Sequence, residues 1–283
     1  MSEPGGVRTE VWLDACRRAA RAVGEMLAAR PTAAERAAET GTTGSGGDHT
    51  LEIDRVAELL IFTELERLHE QGIGFRAISE ERGVVAFGTG DLRVVIDPID
   101  GSLNAKRGLS HHALSIAVAT GETMADVRFG YVYDFGPAEE WWAASGAGAH
   151  LDDRRLDRTV PERRSPDGRI EVVGIESADP RWLAGAIDPL VERAYRLRAL
   201  GAIAPSLCQV AAGRFDALIS LRGCRAVDAA AAQLIVRETG GLVAFPRFED
   251  RLAAPLDLEP HSPVVAARTR ATLTELEAIC LRR

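Results

Sequence analysis

The chain has 283 residues, enough for one large domain or two halves sharing a core. Its 46% apolar and 27% charged content fits a globular protein, and a formal net charge of −8 excludes a broad basic face for wrapping nucleic acid. None of the four cysteines forms a C-x-x-C pair, no apolar run reaches membrane-spanning length, and residues 1–8 hold no signal-peptide apolar stretch, so the cytoplasm is the expected location.

Apolar residues at helical spacing (Val11, Ala15, Ala19, Val23, Met26, Leu27) predict a helix over 11–29, ended by Pro31. Residues 40–49 are rich in Gly, Thr and Ser and read as a mobile loop. A second amphipathic helix is expected over 54–69, with Val56, Leu59, Leu60, Thr63 and Leu68 near one face. Short runs of β-formers at 75–79 and 92–96 read as strands, each followed by acids. Strands are expected at 114–120, 127–133 and 140–144, then a charged, Pro-containing surface segment over 152–167. Beyond it the pattern alternates: strand 170–175, helix 180–193, strand 196–199, helix 203–212, strand 217–221, helix 228–239, strand 242–245. A last strand at 264–267 and a helix over 269–281 complete the sequence. This alternation predicts an α/β layer arrangement. The expected division is residues 1–150 as an N-terminal α+β half and 151–283 as a C-terminal α/β half. Cys16, Cys208 and Cys280 lie in apolar helical patterns and read as buried small hydrophobes.

The central motif is Asp97-Pro98-Ile99-Asp100-Gly101-Ser102, directly after a predicted strand. Two carboxylates three residues apart repel one another unless something cationic lies between them, and carboxylate, carbonyl and water oxygens suit Mg²⁺. Pro98 fixes its φ, Gly101 permits a tight path, and the Ile99 carbonyl becomes a further candidate donor. The same residues also make an ordinary surface turn. Glu80 and Glu81 end another strand, where acids are often only solvated. Asp228 opens a mostly apolar helix, where it serves as an N-cap, a metal ligand, or both, one oxygen for each. The adjacent His111 and His112 have the wrong spacing for one tetrahedral metal and are expected at a strand edge. Lys106 and Arg107 read as substrate-bordering or simply solvated loop charges.

Together these blocks resemble the inositol monophosphatase superfamily of lithium-sensitive, magnesium-dependent phosphatases. Ser79-Glu80-Glu81 stands for that family's G-E-E, Asp97 to Ser102 for its D-P-[IL]-D-G-[ST], and Val227-Asp228-Ala229-Ala230 with Glu238-Thr239-Gly240-Gly241 for its W-D-x-A-A…E-A-G-G. Leu200-Gly201-Ala202 and the run from Val210 to Ala217 match two intervening blocks, the first imperfectly. Asp100-Gly101-Ser102-Leu103-Asn104-Ala105 and Gly46-Gly47-Asp48-His49-Thr50 look closer to archaeal-type members, some of which accept both inositol monophosphate and fructose 1,6-bisphosphate.

The resemblance implies a layered αβαβα sandwich, commonly homodimeric, with two or three Mg²⁺ ions (Mn²⁺ substituting) and a small phosphorylated substrate. Neither a nucleic acid nor a membrane is implied as partner. It implies a first metal on Glu80, Asp97 and the Ile99 carbonyl, a second on Asp97, Asp100 and Asp228, and a weaker third on Glu80 and water. Ser102 would hydrogen-bond the attacking water and Asp54 would orient that hydroxyl, although Asp54 also suits the N-cap of the second helix. The amides of Gly101 and Ser102 would bind phosphate oxygens. Three departures bear on the substrate. Val227 replaces a Trp, Ala202 replaces a hydroxyl residue, and Ser220-Leu221 lies where animal enzymes carry a substrate-gripping Glu, in a segment one residue longer. Broader sugar-phosphatase activity therefore fits better than strict inositol specificity. A 3'-phosphoadenosine 5'-phosphate or histidinol-phosphate phosphatase and a non-catalytic metal and sugar-phosphate sensor stay open as alternatives.

Overall fold

The computed structural model describes residues 7–43, 45 and 49–281. The Gly46-Gly47-Asp48 segment lies outside them. Flanking it, β1 (Glu39–Thr43) and β2 (His49–Leu51) pair antiparallel, so the stretch expected to be a loop contributes strands.

Five layers stack in the expected αβαβα order. The outer layer is α1 (Thr9–Ala28) with α3 (Glu52–Glu70); the short α2 (Ala33–Arg36) follows α1. Next come eight strands: β3 (Phe75–Ser79), β4 (Gly83–Phe87), β5 (Leu92–Asp100), β6 (Ala113–Ala119), β7 (Val127–Asp134), β8 (Glu139–Ala144), β9 (Gly148–Leu151) and β10 (Arg154–Arg155). Their order in the sheet is β10-β9-β8-β7-β6-β5-β3-β4. The middle layer is α7 (Ile203–Ala211) and α8 (Ala226–Glu238). The second sheet is β12-β11-β13-β15-β14, built from β11 (Ile170–Glu176), β12 (Ala194–Arg198), β13 (Ala217–Ser220), β14 (Leu242–Ala244) and β15 (Val265–Ala267). The last layer holds α5 (Pro180–Leu183), α6 (Ile187–Val191) and α9 (Arg270–Cys280). The chain crosses from one sheet to the other through residues 156–169.

Strand periodicity explains how one sheet serves two cores. In β6, Leu114, Ile116 and Val118 point into the apolar cluster under α1 and α3, while Ala113, Ala117 and Ala119 point into the cluster around α8. Large side chains thus face one layer and small ones the other. Gly130 on β7 continues the small face: a Cβ there would sit 2.5 Å from the Ala231 carbonyl. With Ala229 to Ala232 on its own side, α8 lies directly on the sheet, which brings its first turn to the end of β5.

Several elements depart from the sequence reading for physical reasons. The helix expected over 180–193 is two pieces, α5 and α6. Gly185 lies between them, and Pro189 could not donate to a carbonyl four residues back. In α6 that proline falls in the first turn, where no donor is needed. α3 starts at Glu52 and buries Ile53, Ala57, Ile61, Phe62 and Leu65, leaving Thr63 and Leu59 exposed. Strands β9 and β10 are too short and too weakly apolar to stand out from the sequence, whereas β4, with Val84, Val85, Ala86 and Phe87, carried a readable signal that was missed. Cys16, Cys208 and Cys224 are buried, and Cys280 is half-buried.

Candidate active site

Parallel pairing of β3 with β5 sets Ser79 beside Ile96. The next residues, Glu80 and Asp97, therefore leave the same sheet edge as neighbours. β5 does not end there, as the sequence suggested. It continues to Asp100 through a bulge: Asp97 pairs with Ser115 and Asp100 with Ala113, three residues against two. Such a bulge re-aims side chains locally. The Asp97 carboxylate folds back to accept from the Ile99 N–H (3.0 Å).

Gly101 follows at φ +87, in the left-handed region, where a Cβ would lie 2.9 Å from the His111 carbonyl and 3.0 Å from Ala202. Only glycine fits both the angle and the space. α4 (Ser102–Arg107) begins next.

Two carboxylates with alternative N-cap readings stand one turn inside their helices. The N-cap residues are Leu51 for α3 and Arg225 for α8. Asp228 accepts from the Arg225 N–H (2.8 Å), and the Leu51 N–H favours the charged form of Asp54. Asp228 thus satisfies one helix-end donor from the third helical position of α8, as an acid does in a capping box, and Asp54 holds the same position in α3.

Asp54, Glu80, Asp97, Ile99, Asp100, Gly101, Ser102 and Asp228 all line one cleft of roughly 290 Å³. Ser102 Oγ stands 3.3 Å from Asp54 Oδ1 and 2.9 Å from the Ile99 carbonyl oxygen. Asp100 Oδ2 accepts from the Ala204 N–H (2.6 Å), capping α7 where Ala202 offers no side-chain acceptor.

Burial first, then mutual repulsion, holds these carboxyls above their ordinary range. Asp97 is pushed well up by desolvation and by Glu80, Asp100 and Asp228; Asp100 is pushed well up by desolvation and by Asp228. Burial lifts Glu80 to about 7, with Arg225 pulling down and Asp228 pushing up. Asp54 is also pushed up to about 7, by burial and then by Glu81. Such a crowd of buried acids wants cations.

Among the described residues, no three His, Cys, Asp or Glu side chains stand in an arrangement that would grip a metal ion. A guanidinium bridges part of the cluster instead. Arg225 Nη1 is 2.7 Å from Glu80 Oε1, and its Nη2 is 3.4 Å from Asp228 Oδ1. The donor chemistry nevertheless fits a hard divalent cation, with carboxylate oxygens and one carbonyl facing a polar cleft.

Three contributors escaped the sequence reading. Arg225 was not singled out. Glu81 lines the cleft but was weighed only as a solvated neighbour. Glu176, at the end of β11, accepts from the Leu200 and Gly201 N–H groups and from Ser206 Oγ (2.6 Å), holding the loop whose Gly201 forms one wall. The signal for Glu176 was an acid closing an apolar strand, the same pattern that marked Asp97. His111 pairs through Nδ1 with Asp134 (2.8 Å) and His112 with the Leu109 carbonyl, at the start of β6 and outside the cleft lining, as expected.

Layer order, the bulged acidic strand end and the distant Asp228 define a layered αβαβα protein with one acidic cleft. The chain belongs to the inositol monophosphatase family: that family's model matches residues 9–280. Among curated relatives, a fructose-1,6-bisphosphatase/inositol-1-monophosphatase of Thermococcus kodakarensis is 34% identical over 249 residues, covering 87% of this chain and 88% of that protein. The Nus factor SuhB of Escherichia coli is 34% identical over 231 residues, covering 80% and 82%. The crystal structure of an inositol monophosphatase–fructose 1,6-bisphosphatase superimposes with a TM-score of 0.79 at 25% identity, over 95% of this chain and 99% of that one. An inositol monophosphatase from Anabaena (Nostoc) gives 0.72 at 21% identity, over 96% of each, which speaks to the fold. Among the described residues, no helix is long and apolar enough to cross a membrane.

Proposed function

We propose that this chain is a Mg²⁺-dependent phosphomonoesterase acting on a small sugar or inositol phosphate, with inositol 1-phosphate and fructose 1,6-bisphosphate as the leading substrates. The observation that carries this reading is the meeting of Asp54, Glu80, Asp97, Asp100 and Asp228, from four separate chain segments, around one cleft. Glu80, Asp97 and the Ile99 carbonyl would hold one cation, and Asp97, Asp100 and Asp228 a second. A weaker third would sit on Glu80 and water. When bound, such cations make water a better nucleophile at neutral pH and neutralise charge on the leaving oxygen.

The protein's own groups do the rest. Ser102 has one hydroxyl proton and two acceptors in reach, Asp54 Oδ1 and the Ile99 oxygen. With the Ile99 oxygen engaged elsewhere, the proton goes to Asp54, and the Ser102 lone pair is free to align the attacking water. An Asp54 carboxyl near 7 suits proton transfer at neutral pH. The Gly101 and Ser102 amides, at a left-handed turn into α4, would take phosphate oxygens. A cytoplasmic homodimer completes the reading.

Breadth of substrate is supported at Ser220. This residue is fully buried, donates to the Arg222 carbonyl, and with Leu221 stands outside the cleft lining. No acid there reaches for an inositol hydroxyl. The relative from Thermococcus carries both activities in its name. A panel of inositol 1-phosphate, fructose 1,6-bisphosphate, 3'-phosphoadenosine 5'-phosphate and histidinol phosphate tests the assignment by kcat/KM. The first two should exceed the others by at least about tenfold, the discrimination a few polar contacts supply. A preference for either of the others would overturn the substrate assignment. Metal binding without phosphate release from any of them would make the protein a sensor.

A further inference from the structure

We infer that Arg225 is the resident counter-cation of the acidic cleft: its guanidinium holds Glu80 and Asp228 while no metal is bound, and metal entry displaces it toward the anionic substrate. The inference rests on the phosphatase reading of the cleft and adds a role for a residue that reading leaves unused.

The main chain of Arg225 is pinned, because its N–H donates to Asp228 Oδ2 at 2.8 Å. Any movement therefore belongs to the side chain. That side chain reaches 2.7 Å from Glu80 Oε1, in the turn between β3 and β4, and 3.4 Å from Asp228 Oδ1, in the first turn of α8. It engages one carboxylate from each half of the chain, and on Asp228 it takes Oδ1 while its own N–H takes Oδ2. A guanidinium donates to the same carboxylate lone pairs that a metal ion would accept. The two cannot use one oxygen equally well at once.

Charge sets the order of preference. One guanidinium offers a single positive charge to four carboxylates, Glu80, Asp97, Asp100 and Asp228, that raise one another's proton affinity. A divalent ion meets that deficit better. Arginine cannot withdraw by losing a proton, so it has to move. Its side chain is 17% exposed and lines the cleft together with Gly101 and Ser102. A guanidinium turned away from Glu80 thus stays among the groups that would receive a phosphate, and its planar fork suits two phosphate oxygens.

A salt bridge with a purely structural purpose would behave differently, so the test compares the full-length protein with R225Q, using Mn²⁺ and inorganic phosphate as probes. Calorimetry should find Mn²⁺ bound about tenfold more tightly by R225Q, the effect of removing a competitor that occupies roughly nine molecules in ten. Without metal, R225Q should melt below wild type, and the gap should close at saturating Mn²⁺. With Mn²⁺ present, R225Q should bind inorganic phosphate more weakly. If R225Q does not fold, R225K carries the same test, since one ammonium nitrogen replaces the two separate guanidinium nitrogens that reach Glu80 and Asp228, and Mn²⁺ should again bind more tightly. Mn²⁺ affinity unchanged or weaker in the variant, or an equal loss of melting temperature with and without Mn²⁺, overturns the inference alone. A wild-type protein that binds no Mn²⁺ overturns the phosphatase reading together with it.

Discussion

Asp228 uses its two oxygens for two purposes. Oδ2 accepts from the Arg225 N–H, a contact that an asparagine carbonyl can keep; Oδ1 faces the guanidinium in the cleft. Asp228→Asn therefore removes charge and spares the helix end. Phosphate release should fall by at least about a hundredfold, as when a member of a catalytic set is lost. The melting temperature without metal should hold or rise, because one like charge has left a crowded site. Matching collapse of activity and melting temperature would make Asp228 chiefly a helix cap. At this scale the sequence was informative about residue type and less so about position. Asp54 and Asp228 both looked like N-caps, yet the caps are Leu51 and Arg225, and the acids reach back from one turn in. Spacing from the first apolar residue does not distinguish those two positions. Arg225 was invisible because its importance comes from Glu80, 145 residues earlier in the chain, which it meets only in the folded protein.

At the scale of elements, the site depends on how closely α8 lies on the first sheet and on what holds the 199–203 loop. Gly130→Ala forces a Cβ to within 2.5 Å of the Ala231 carbonyl, backbone against side chain with no flexible partner to yield. Overpacking of this kind costs about 1–3 kcal/mol, and the melting temperature should fall by roughly 3–9 °C; an unchanged melting temperature would mean the helix is free to lift.

Glu176 gives a pH signature. Burial raises its carboxyl from 4.5 to about 7, against the pull of Ser206 and the Leu200 and Gly201 amides. The folded protein therefore keeps a proton there that the unfolded chain gives up at lower pH. The stability tied to this group is complete below about pH 4.5 and is lost as pH rises through about 7. In metal-free protein, wild type should lose stability relative to Glu176→Gln across that window. Parallel melting curves from low to neutral pH would contradict the assignment. The alternation of strands and helices after residue 170 was legible, because β-branched runs and apolar helical spacing differ in period. What was not legible was the continuation of β5 through Asp-Pro-Ile-Asp, since those residues favour a turn and only pairing with β6 keeps them in the sheet. The break between α5 and α6 was available in Gly185 and Pro189 and was missed.

At the scale of the molecule, the cleft is a joint. Asp97 and Asp100 belong to the first sheet and Glu80 to the turn at the end of its strand β3, Asp228 belongs to the helix layer shared by both sheets, and Asp100 also caps α7. On the proposed reading, a cation bound among them would link these parts and should stabilise the whole fold. At a Mg²⁺ concentration about one hundred times its dissociation constant, the gain is about 2.7 kcal/mol, removed again by chelation. The order of motifs along the chain already pointed to this assembly, because three acidic blocks in family sequence imply one site. The αβαβα layering followed from the same resemblance more than from periodicity, which gave elements without their stacking.

Phosphate release from inositol 1-phosphate, measured for wild type and Asp97→Asn in chelator and then across a Mg²⁺ titration, tests the central claim most directly. Wild type should be silent in chelator and switch on with Mg²⁺, while Asp97→Asn should remain at least about a hundredfold slower at every concentration. Release that persists in chelator, or that survives the loss of Asp97, would contradict it.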